Sequence, residues 1–291
     1  RTCFFSFLNC ENLITTSPDL NNFFLKKSKN CLNYIYFFHS MCSTNVIYNH
    51  NAFSHYDTIL LAHKLHRKEF KNYNFFNNNP KLINFGYPKI DKLCKESNKN
   101  KINTDNKKIL IAPTWGDESA AFRVYEKIIE ILLIKSFQVT FRPHPVSILN
   151  SKNLINDINK KFFKFSSFKI SYAEDNLEDY ISNHLIISDW SGSAIEYSLG
   201  TKKPCIFINT KRKVRNKNFS LKEIENSFEN VFRKEVGKTF EIKEIENIPD
   251  FIVNKEYLNL FEKKVDYFRD QYLYNFKNTK NEVWKFIKSI S

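Results

Sequence analysis

The sequence predicts an α/β protein built on parallel sheets. Short apolar runs recur along the 291 residues, each with the length of a buried parallel strand. Helical stretches separate these runs, which is the arrangement that a parallel sheet requires. Polar residues follow several of the runs, and ligands bind at the carboxyl ends of the strands in such sheets. The sequence therefore predicts a binding site as well as a fold.

One strand–turn–helix segment shows the pattern most clearly. His184–Ile187 is a short apolar run and is predicted to be a buried strand. Ser188 and Asp189 follow it and are good N-cap residues, and Ser191–Leu199 can form about two helical turns. Gly200 is the expected end of this helix.

The turn before this helix predicts an anion site. Hydroxyl groups and free backbone N–H groups at a helix N-terminus favour a negatively charged ligand. Glu196 lies further along the helix, where it could reach the sugar hydroxyls of a nucleotide whose phosphates sit at the cap. The alternative is an ordinary capped helix, and this segment alone leaves both interpretations open.

The other predicted elements continue the alternation. The remaining strands are Tyr34–Phe38, Thr58–Leu61, Leu82–Phe85, Lys108–Ala112, Phe137–Phe141, one or two short strands in Phe162–Ile170, and Cys205–Ile208. The remaining helices are Lys64–Lys71, Glu118–Ile134, Asn150–Lys160, Leu177–Ser182 and Ser220–Ser227. Val253–Lys288 is predicted to be largely helical and aromatic, closing on both domains or lying on a membrane surface.

A chain of this length predicts two domains. We expect an N-terminal α/β domain over residues 1–95, a nucleotide-binding α/β domain over residues 106–252, and closing helices over residues 253–291. Glu96–Lys108 is polar without an apolar period and is interpreted as the linker. Arg1 is not an initiator Met and the opening elements of a full α/β domain are missing, so we expect the first domain to be truncated.

Composition limits the possible partners. The formal charge of +14 favours phosphates, nucleotides or an anionic membrane surface. Nucleic acid is not expected, because the sequence has no zinc-finger spacing and no helix with clustered Arg in a recognition pattern. No run approaches the roughly 18–20 apolar residues that a membrane span needs.

The sequence predicts no metal site and no cofactor. The six cysteines form no Cys-x-x-Cys pair and are interpreted as reduced thiols of a cytosolic protein. His63 and His66 have a spacing that can suggest metal, but no third ligand follows at a convincing spacing. With His50 and His55, they are interpreted as structural or solvated histidines.

Five sequence blocks occur in a fixed order between residues 34 and 210. They are Phe37-Phe38-His39-Ser40, Gly86-Tyr87-Pro88-Lys89-Ile90-Asp91, Ile111-Ala112-Pro113-Thr114-Trp115, Arg142-Pro143-His144-Pro145, and Ser188-Asp189-Trp190-Ser191 through Glu196-Tyr197 to Lys203-Pro204. Each block is short, but five in the right order resemble the CDP-glycerol glycerophosphotransferase family, the teichoic-acid and capsule polymerases.

This resemblance implies two Rossmann-like domains of the glycosyltransferase B type, with the active site in the cleft. It implies transfer of glycerol phosphate, or a related polyol phosphate, from a CDP-activated donor to a hydroxyl of a polymer or lipid-linked acceptor. Such donors and acceptors meet at the cytoplasmic face of the bacterial membrane, so a peripheral location there is expected. Whether magnesium binds together with the donor is left open, since the sequence contains no carboxylate cluster that would indicate it.

The resemblance also assigns two catalytic histidines, one from each domain, that would face each other across the cleft. His39 matches the family's proposed base, which takes the proton of the attacking hydroxyl. A hydrogen-bonded structural histidine is the alternative. Beside it, Ser40 is a candidate cleft residue, and Ser43 and Thr44 would bind phosphate or serve as turn residues.

His144 matches the histidine of Arg-x-His-Pro, which in the family supports the phosphates of the departing nucleotide. Arg142 would add a fixed positive fork for phosphate, or would be a surface ion-pair partner. Pro143 and Pro145 would stiffen the backbone around the imidazole.

The other donor-side candidates follow strand ends. They are Thr114, Ser188, Asp189, Ser191, Ser193 and Glu196. By the resemblance, Ser191 and Ser193 would bind the pyrophosphate, Asp189 would orient the turn, and Glu196 would bind the ribose. Asp117 is a possible cleft residue or a helix N-cap.

The chain departs from the family pattern at five positions. Phe-His-Ser stands around His39 where Trp-His-Gly is frequent, Gly116 stands for Arg, Gly192 for Ser, and Glu196 for Asp. Two further hypotheses therefore stay open. One is a nucleotide-sugar glycosyltransferase or epimerase with the same fold, and the other is an inactive or truncated relative that acts as a binding module.

Overall fold

The computed structural model describes residues 5–71, 79–99, 107–115, 118–212 and 220–291. The strands are β1 (Cys10–Thr15), β2 (Cys31–Phe37), β3 (Thr58–Leu61), β4 (Lys81–Asn84), β5 (Lys108–Ile111), β6 (Gln138–Phe141), β7 (Phe168–Ile170), β8 (Leu185–Ser188), β9 (Cys205–Ile208) and β10 (Lys238–Phe240). The helices are α1 (Thr44–Ile47), α2 (Lys64–Phe70), α3 (Pro88–Lys99), α4 (Glu118–Ile134), α5 (Pro145–Asn150), α6 (Lys152–Phe162), α7 (Leu177–Ser182), α8 (Gly192–Thr201), α9 (Leu221–Glu225), α10 (Phe228–Glu235), α11 (Ile248–Ile252), α12 (Lys255–Tyr272) and α13 (Thr279–Ile290), with a 3₁₀ helix at Ile242–Asn247.

The chain divides into two compact units whose bounds differ from the predicted domains. The first contains Arg1–Asp91, Val214–Val231 and Arg269–Ser291, and the second contains Lys92–Lys213 and Phe232–Phe268. The C-terminal region is divided because Phe286 of α13 packs in the core of the first unit, whereas α12 belongs to the second unit up to Phe268. The predicted linker is helical up to Lys99, and residues 100–106 lie outside the described ranges.

The first unit has a parallel sheet in the order β1-β2-β3-β4. The sequence prediction missed β1, because half of its residues are polar and none of them is fully buried. This strand pairs with β2 on one side, in a register that places Cys10 opposite Cys31. The sheet ends β2 just before His39, so its carboxyl edge carries that imidazole.

The second unit has a parallel sheet in the order β10-β9-β8-β5-β6-β7. Counted within the unit, this is the order 3-2-1-4-5-6 of dinucleotide-binding folds. The direction of winding reverses between β5 and β8, which pair directly with each other. Ligands of such sheets bind in the crevice outside the carboxyl ends of these two strands.

Two details of α8 differ from the sequence prediction. The N-cap is Ser191, since Ser188 still belongs to β8. Gly200 lies inside the helix, and the chain leaves it through Lys202 in the left-handed conformation at φ 60°. A Cβ atom on Gly200 would lie 2.3 Å from Leu93 Cδ2, so this glycine is required for close packing rather than to end the helix.

Within the described residues, no helix is both long and apolar enough to cross a membrane.

Candidate active site

The turn after β8 is bound to the loop after β5 at the carboxyl edge of the second sheet. Asp189 Oδ1 accepts a hydrogen bond of 2.8 Å from the backbone N–H of Thr114. The hydroxyl of Ser188 donates a hydrogen bond of 2.5 Å to the carbonyl of Ala112. These contacts join two polar blocks that are 75 residues apart in the sequence, at the point where the strand order reverses.

The Asp189 carboxylate is directed into the protein. Its side chain is buried, and Oδ2 accepts a hydrogen bond of 3.3 Å from the hydroxyl of Thr210. Burial raises the pKa of Asp189 above its usual range, while the donors of Thr114 and Thr210 act in the opposite direction. The geometry is that of a residue that holds the turn in place.

Arg233, which the sequence analysis missed, supports the same turn. Its Nη1 donates a hydrogen bond of 2.6 Å to the backbone carbonyl of Asp189. Its guanidinium carbon lies 3.8 Å from the ring centroid of Trp190 and 4.8 Å from that of Phe207. Burial lowers the pKa of Arg233 to about 10, and the Asp189 carboxylate opposes this shift. The side chain stays charged at neutral pH.

The N-terminus of α8 begins at this turn. The hydroxyl of Ser191 accepts a hydrogen bond of 3.2 Å from the backbone N–H of Ser193, which is the usual geometry of an N-cap. Gly192 and Ser193 are half-buried, whereas Ser191 and Ala194 are buried, so solvent reaches only part of the first turn of the helix. Glu196, the expected ribose ligand, is buried at 4% exposure. The chain therefore offers helix N–H groups and hydroxyls to an anion at this edge.

His144 follows β6 and caps α5. Its Nδ1 accepts a hydrogen bond of 3.1 Å from the backbone N–H of Val146. Since an acceptor nitrogen carries no hydrogen, the neutral ring has its proton on Nε2. The ring centroid lies 6.0 Å from that of Trp115, in the loop after β5. His144 is thus held as a donor through Nε2, near the Thr114 loop.

Arg142 makes a largely buried ion pair. Its Nη1 lies 2.6 Å from Asp179 Oδ2 and donates at 3.3 Å to the hydroxyl of Ser171. Its Nη2 donates at 2.8 Å to the carbonyl of Ala173. The guanidinium therefore ties the loop after β7 to α7, and three of its donors are already used.

His39 follows β2 in the first unit and is exposed. Its Nδ1 lies 3.2 Å from the backbone carbonyl of Thr16. Because a carbonyl only accepts, Nδ1 carries the hydrogen and Nε2 of the neutral ring carries a lone pair. The hydroxyl of Tyr87 donates a hydrogen bond of 2.8 Å to the backbone carbonyl of His39. The contacts with Thr16 and Tyr87 were not predicted, because the acceptor in each is a backbone carbonyl, which no sequence motif reveals.

The polar residues after His39 separate into two kinds. Ser40 is half-buried, whereas Ser43 and Thr44 are fully buried. Both buried residues donate to the carboxyl group of Glu69, so they are turn residues in this structure rather than open phosphate ligands. Asp117 and Gly116 lie outside the described residues.

His63 and His66 also have structural contacts. His63 caps α2 by accepting the backbone N–H of His66 at 3.2 Å. His66 Nε2 lies 3.0 Å from the carbonyl of Cys42. Burial lowers the pKa of both histidines, that of His66 to about 3. No group of three or more His, Cys, Asp or Glu side chains in the described ranges could hold a metal ion.

Comparison with solved structures confirms the expected glycosyltransferase B type of fold. UDP-GlcNAc 2-epimerase from Neisseria meningitidis, bound to UDP-GlcNAc, matches with a TM-score of 0.54 and 16% identity over 81% of this chain and 61% of that chain. The UDP complex of Staphylococcus aureus MnaA matches with a TM-score of 0.52 and 11% identity over 81% of this chain and 61% of that chain.

Comparison with sequences gives the family. A relative, the teichoic acid poly(glycerol phosphate) polymerase of Bacillus spizizenii, is 29% identical over 136 residues, which are 43% of this chain and 34% of the relative. The chain therefore matches about a third of that polymerase. The sequence profile of CDP-Glycerol:Poly(glycerophosphate) glycerophosphotransferase matches residues 39–234, which is more than half of the chain and begins at His39. The chain belongs to the CDP-glycerol:poly(glycerophosphate) glycerophosphotransferase family.

Proposed function

We propose that this chain carries the catalytic groups of a polyol-phosphate transferase. The donor is CDP-glycerol or a similar CDP-polyol, and the acceptor is a hydroxyl of a growing teichoic-acid or capsule polymer. The family and the Bacillus polymerase support this choice of substrates.

One observation carries the proposal: the two candidate histidines have opposite hydrogen-bonding states. The contact with the Thr16 carbonyl gives His39 a lone pair at Nε2. The contact with the Val146 N–H gives His144 a hydrogen at Nε2. The reaction needs one group that accepts a proton and one that donates a hydrogen bond to developing negative charge, and these rings are prepared for those roles.

The proposed step is a direct in-line displacement. The acceptor oxygen attacks the β-phosphorus of the donor, and its proton moves to Nε2 of His39. A new oxygen–phosphorus bond forms, while the bond from the β-phosphorus to the bridging oxygen breaks. CMP leaves with that electron pair, and the Nε2–H of His144 stabilises its charge. The bonds formed and broken in this step balance without a redox change or a cofactor.

The donor-side residues would hold the pyrophosphate. Ser191 and Ser193 supply hydroxyls and helix N–H groups, and Asp189 fixes their turn through Thr114. Arg142 would contribute positive charge while its donors hold Asp179. We propose Ser188, Glu196, Ser40 and Asp117 as secondary positions, with Glu196 assigned to the ribose.

Replacing each histidine by Gln tests the assignment. We expect His39→Gln to lower kcat by about 10²–10⁴-fold, the range for loss of a general base, with little change in CMP affinity. We expect His144→Gln to lower both kcat and the affinity for CMP, because it contacts the leaving nucleotide. CMP release from CDP-glycerol with a glycerol phosphate acceptor gives the rate, and calorimetry gives the affinity.

The same assay separates the competing functions. The control is His50→Gln, a histidine outside the proposed site, which should match the parent protein. Near-normal turnover of either His39→Gln or His144→Gln would remove that residue from the mechanism. Release of UDP from UDP-sugars instead of CMP would favour a glycosyltransferase or epimerase. A folded protein without affinity for CMP or CDP would favour a binding module.

We further propose that the protein lies at the inner face of the bacterial membrane. Phe23 and Phe24 are exposed at 82% and 72% on a turn fixed by Asn22, next to exposed Lys26 and Lys29. Aromatic rings beside basic residues suit the interface of an anionic bilayer. Replacing both Phe by Ser should weaken flotation with phosphatidylglycerol vesicles. Unchanged flotation would exclude this turn as the contact.

A further inference from the structure

Two buried carboxyl groups hold the turn that follows His39. Glu69 of α2 and Glu229 of α10 are exposed at only 7% and 4%. Both bind Ser43: its hydroxyl donates to Glu69 Oε1 at 2.7 Å, and its backbone N–H donates to Glu229 Oε1 at 3.1 Å. Two carboxyl groups from different helices therefore meet at one residue of this turn.

Glu69 also binds the next residue. Its Oε2 accepts the backbone N–H of Thr44 at 2.7 Å and the hydroxyl of Thr44 at 2.6 Å. With the contact to Ser43, three donors of two consecutive residues converge on one buried carboxyl group. Short bonds to a carboxylate are among the stronger hydrogen bonds in proteins.

The rest of the turn is fixed from the same helix. His66 Nε2 lies 3.0 Å from the carbonyl of Cys42, and its ring stacks on Phe38 at a centroid distance of 3.9 Å. His39 is the exposed residue next to Phe38 in this turn, and it donates to Thr16. The contacts of Phe38 and Cys42 are thus made with a buried ring, whereas His39 itself is exposed.

We propose that Glu69, together with Glu229, is a positioning residue that holds the His39 turn so that the imidazole keeps its Nδ1–H bond to Thr16. The inference rests on the proposed function, since it gives His39 the role of base. The roles of both glutamates are indirect, because they act through Ser43 and Thr44. Neither glutamate lies in the sequence block that contains His39.

The first test measures the His39 ring and needs no activity. Long-range ¹H–¹⁵N correlation spectra distinguish the two neutral tautomers, and His39→Gln assigns the signal. We expect the Nδ1–H tautomer in the parent protein and a larger fraction of the Nε2–H tautomer in Glu69→Ala. Glu69→Gln keeps one oxygen that can accept both Thr44 donors, and its amide N–H can donate to the Ser43 hydroxyl, so it should resemble the parent protein.

The second test measures transfer kinetics. Glu69→Ala should lower kcat about tenfold or more with an unchanged KM for CDP-glycerol, because donor binding does not involve this turn. Glu69→Gln should restore most of the rate. Ser43→Ala, which removes one of the three bonds, should give a smaller loss and remains informative if Glu69→Ala does not fold.

A matched control removes another structural carboxylate from the same unit. Asp57 accepts the backbone N–H of Tyr34 at 2.8 Å and pairs with Lys27. Asp57→Ala should cost stability but leave the His39 tautomer and kcat unchanged.

The outcomes separate the two proposals. An unaltered tautomer and kcat in both Glu69→Ala and Ser43→Ala would overturn the positioning role and leave the transferase proposal standing. A parent protein without transfer activity would overturn the function, while the tautomer shift would still support the positioning role. An equal loss of kcat in Asp57→Ala would mean that Glu69 affects the rate only through overall stability, and this would overturn the proposal.

Discussion

The turns after β2 and β8 start from the same topology but are held by different chemistry. Each follows the carboxyl end of a strand in a parallel sheet and carries proposed functional groups. At the β8 turn, the Asp189 carboxylate receives N–H and hydroxyl donors, and the charged Arg233 binds its backbone. At the β2 turn, Glu69 faces two residues of the turn and a second carboxyl group.

Because of this difference, the two turns should respond differently to changes in the charge of their buried groups. Burial raises the pKa of Glu69 to about 7, and the negative charge of Glu229 adds to the shift, whereas the donors of Ser43 and Thr44 oppose it. Arg233, with a pKa of about 10, keeps its charge throughout the neutral range. The donor-side turn is therefore stabilised by a permanent cation, and the His39 turn by a group that titrates near neutrality.

Removing the cation should have the largest effect. Arg233→Leu should lower the free energy of unfolding by about 3–5 kcal/mol, because it removes a buried hydrogen bond from a charged group to the Asp189 carbonyl and the buried contact of the guanidinium with the Trp190 ring. Arg233→Lys keeps the charge but loses the fork, so its loss should be smaller. Urea denaturation measures both. Equal stability of Arg233→Leu and the parent protein would mean that charge does not hold this turn.

The second-largest effect should appear in the pH dependence of stability, which should distinguish the two turns. A carboxyl group whose folded-state pKa is raised stabilises the fold below its unfolded pKa, and this contribution is lost as pH rises through about 7. The free energy of unfolding of Glu69→Gln, relative to the parent protein, should therefore increase by about 3 kcal/mol between pH 4 and pH 8.

The control variant is Glu11→Gln, which removes an exposed carboxyl group on β1. The groups that act on Glu69 are Ser43, Thr44 and Glu229, and the other titratable groups buried on its own helix and cap are His63 and His66. Burial lowers the pKa of both histidines, so each adds a slope to both proteins, and this contribution cancels in the difference between Glu69→Gln and the parent protein. If the difference in the free energy of unfolding between Glu69→Gln and the parent protein did not change with pH, the proposed distinction between the two turns would be wrong.

A pair of Tyr→Phe variants should give the smallest effect. Tyr87→Phe removes the bond to the His39 carbonyl, and Tyr197→Phe removes an equivalent bond of 2.9 Å to the carbonyl of Asn183 in the second unit. Each should cost about 1 kcal/mol of stability. Only Tyr87→Phe should also lower kcat, by a few-fold. Equal kinetic effects would show that the rate follows overall stability instead.

Much of the fold was predictable because its buried elements carry strong periodic signals. Thr58–Leu61, Glu118–Ile134 and Cys205–Ile208 were predicted with the bounds that the structure has. The strand β1 was missed, since Cys10–Thr15 is half polar and only partly buried. A periodic pattern of apolar residues arises from burial, so it cannot identify a strand that is fully buried on neither face.

The candidate site was predictable where polar residues follow apolar runs. This rule located His39, His144 and Asp189 at strand ends. It did not locate Glu69, Glu229 or Arg233, which come from helices and reach the turns only through the tertiary fold. It also treated Arg142 mainly as a phosphate ligand, whereas Asp179 is 37 residues away and no local pattern links the two.

The glycine inside α8 has a consequence for the reaction. Leu93 fills the space where a side chain at residue 200 would stand. A methyl group there would have to displace Leu93 or shift the helix, whose N-terminal residue Ser191 lies more than two turns away. If Ser191 binds the donor phosphate as proposed, such a shift would move the phosphate site. Relatives with Ala at this position should bind nucleotide less tightly unless Leu93 shrinks in the same lineage.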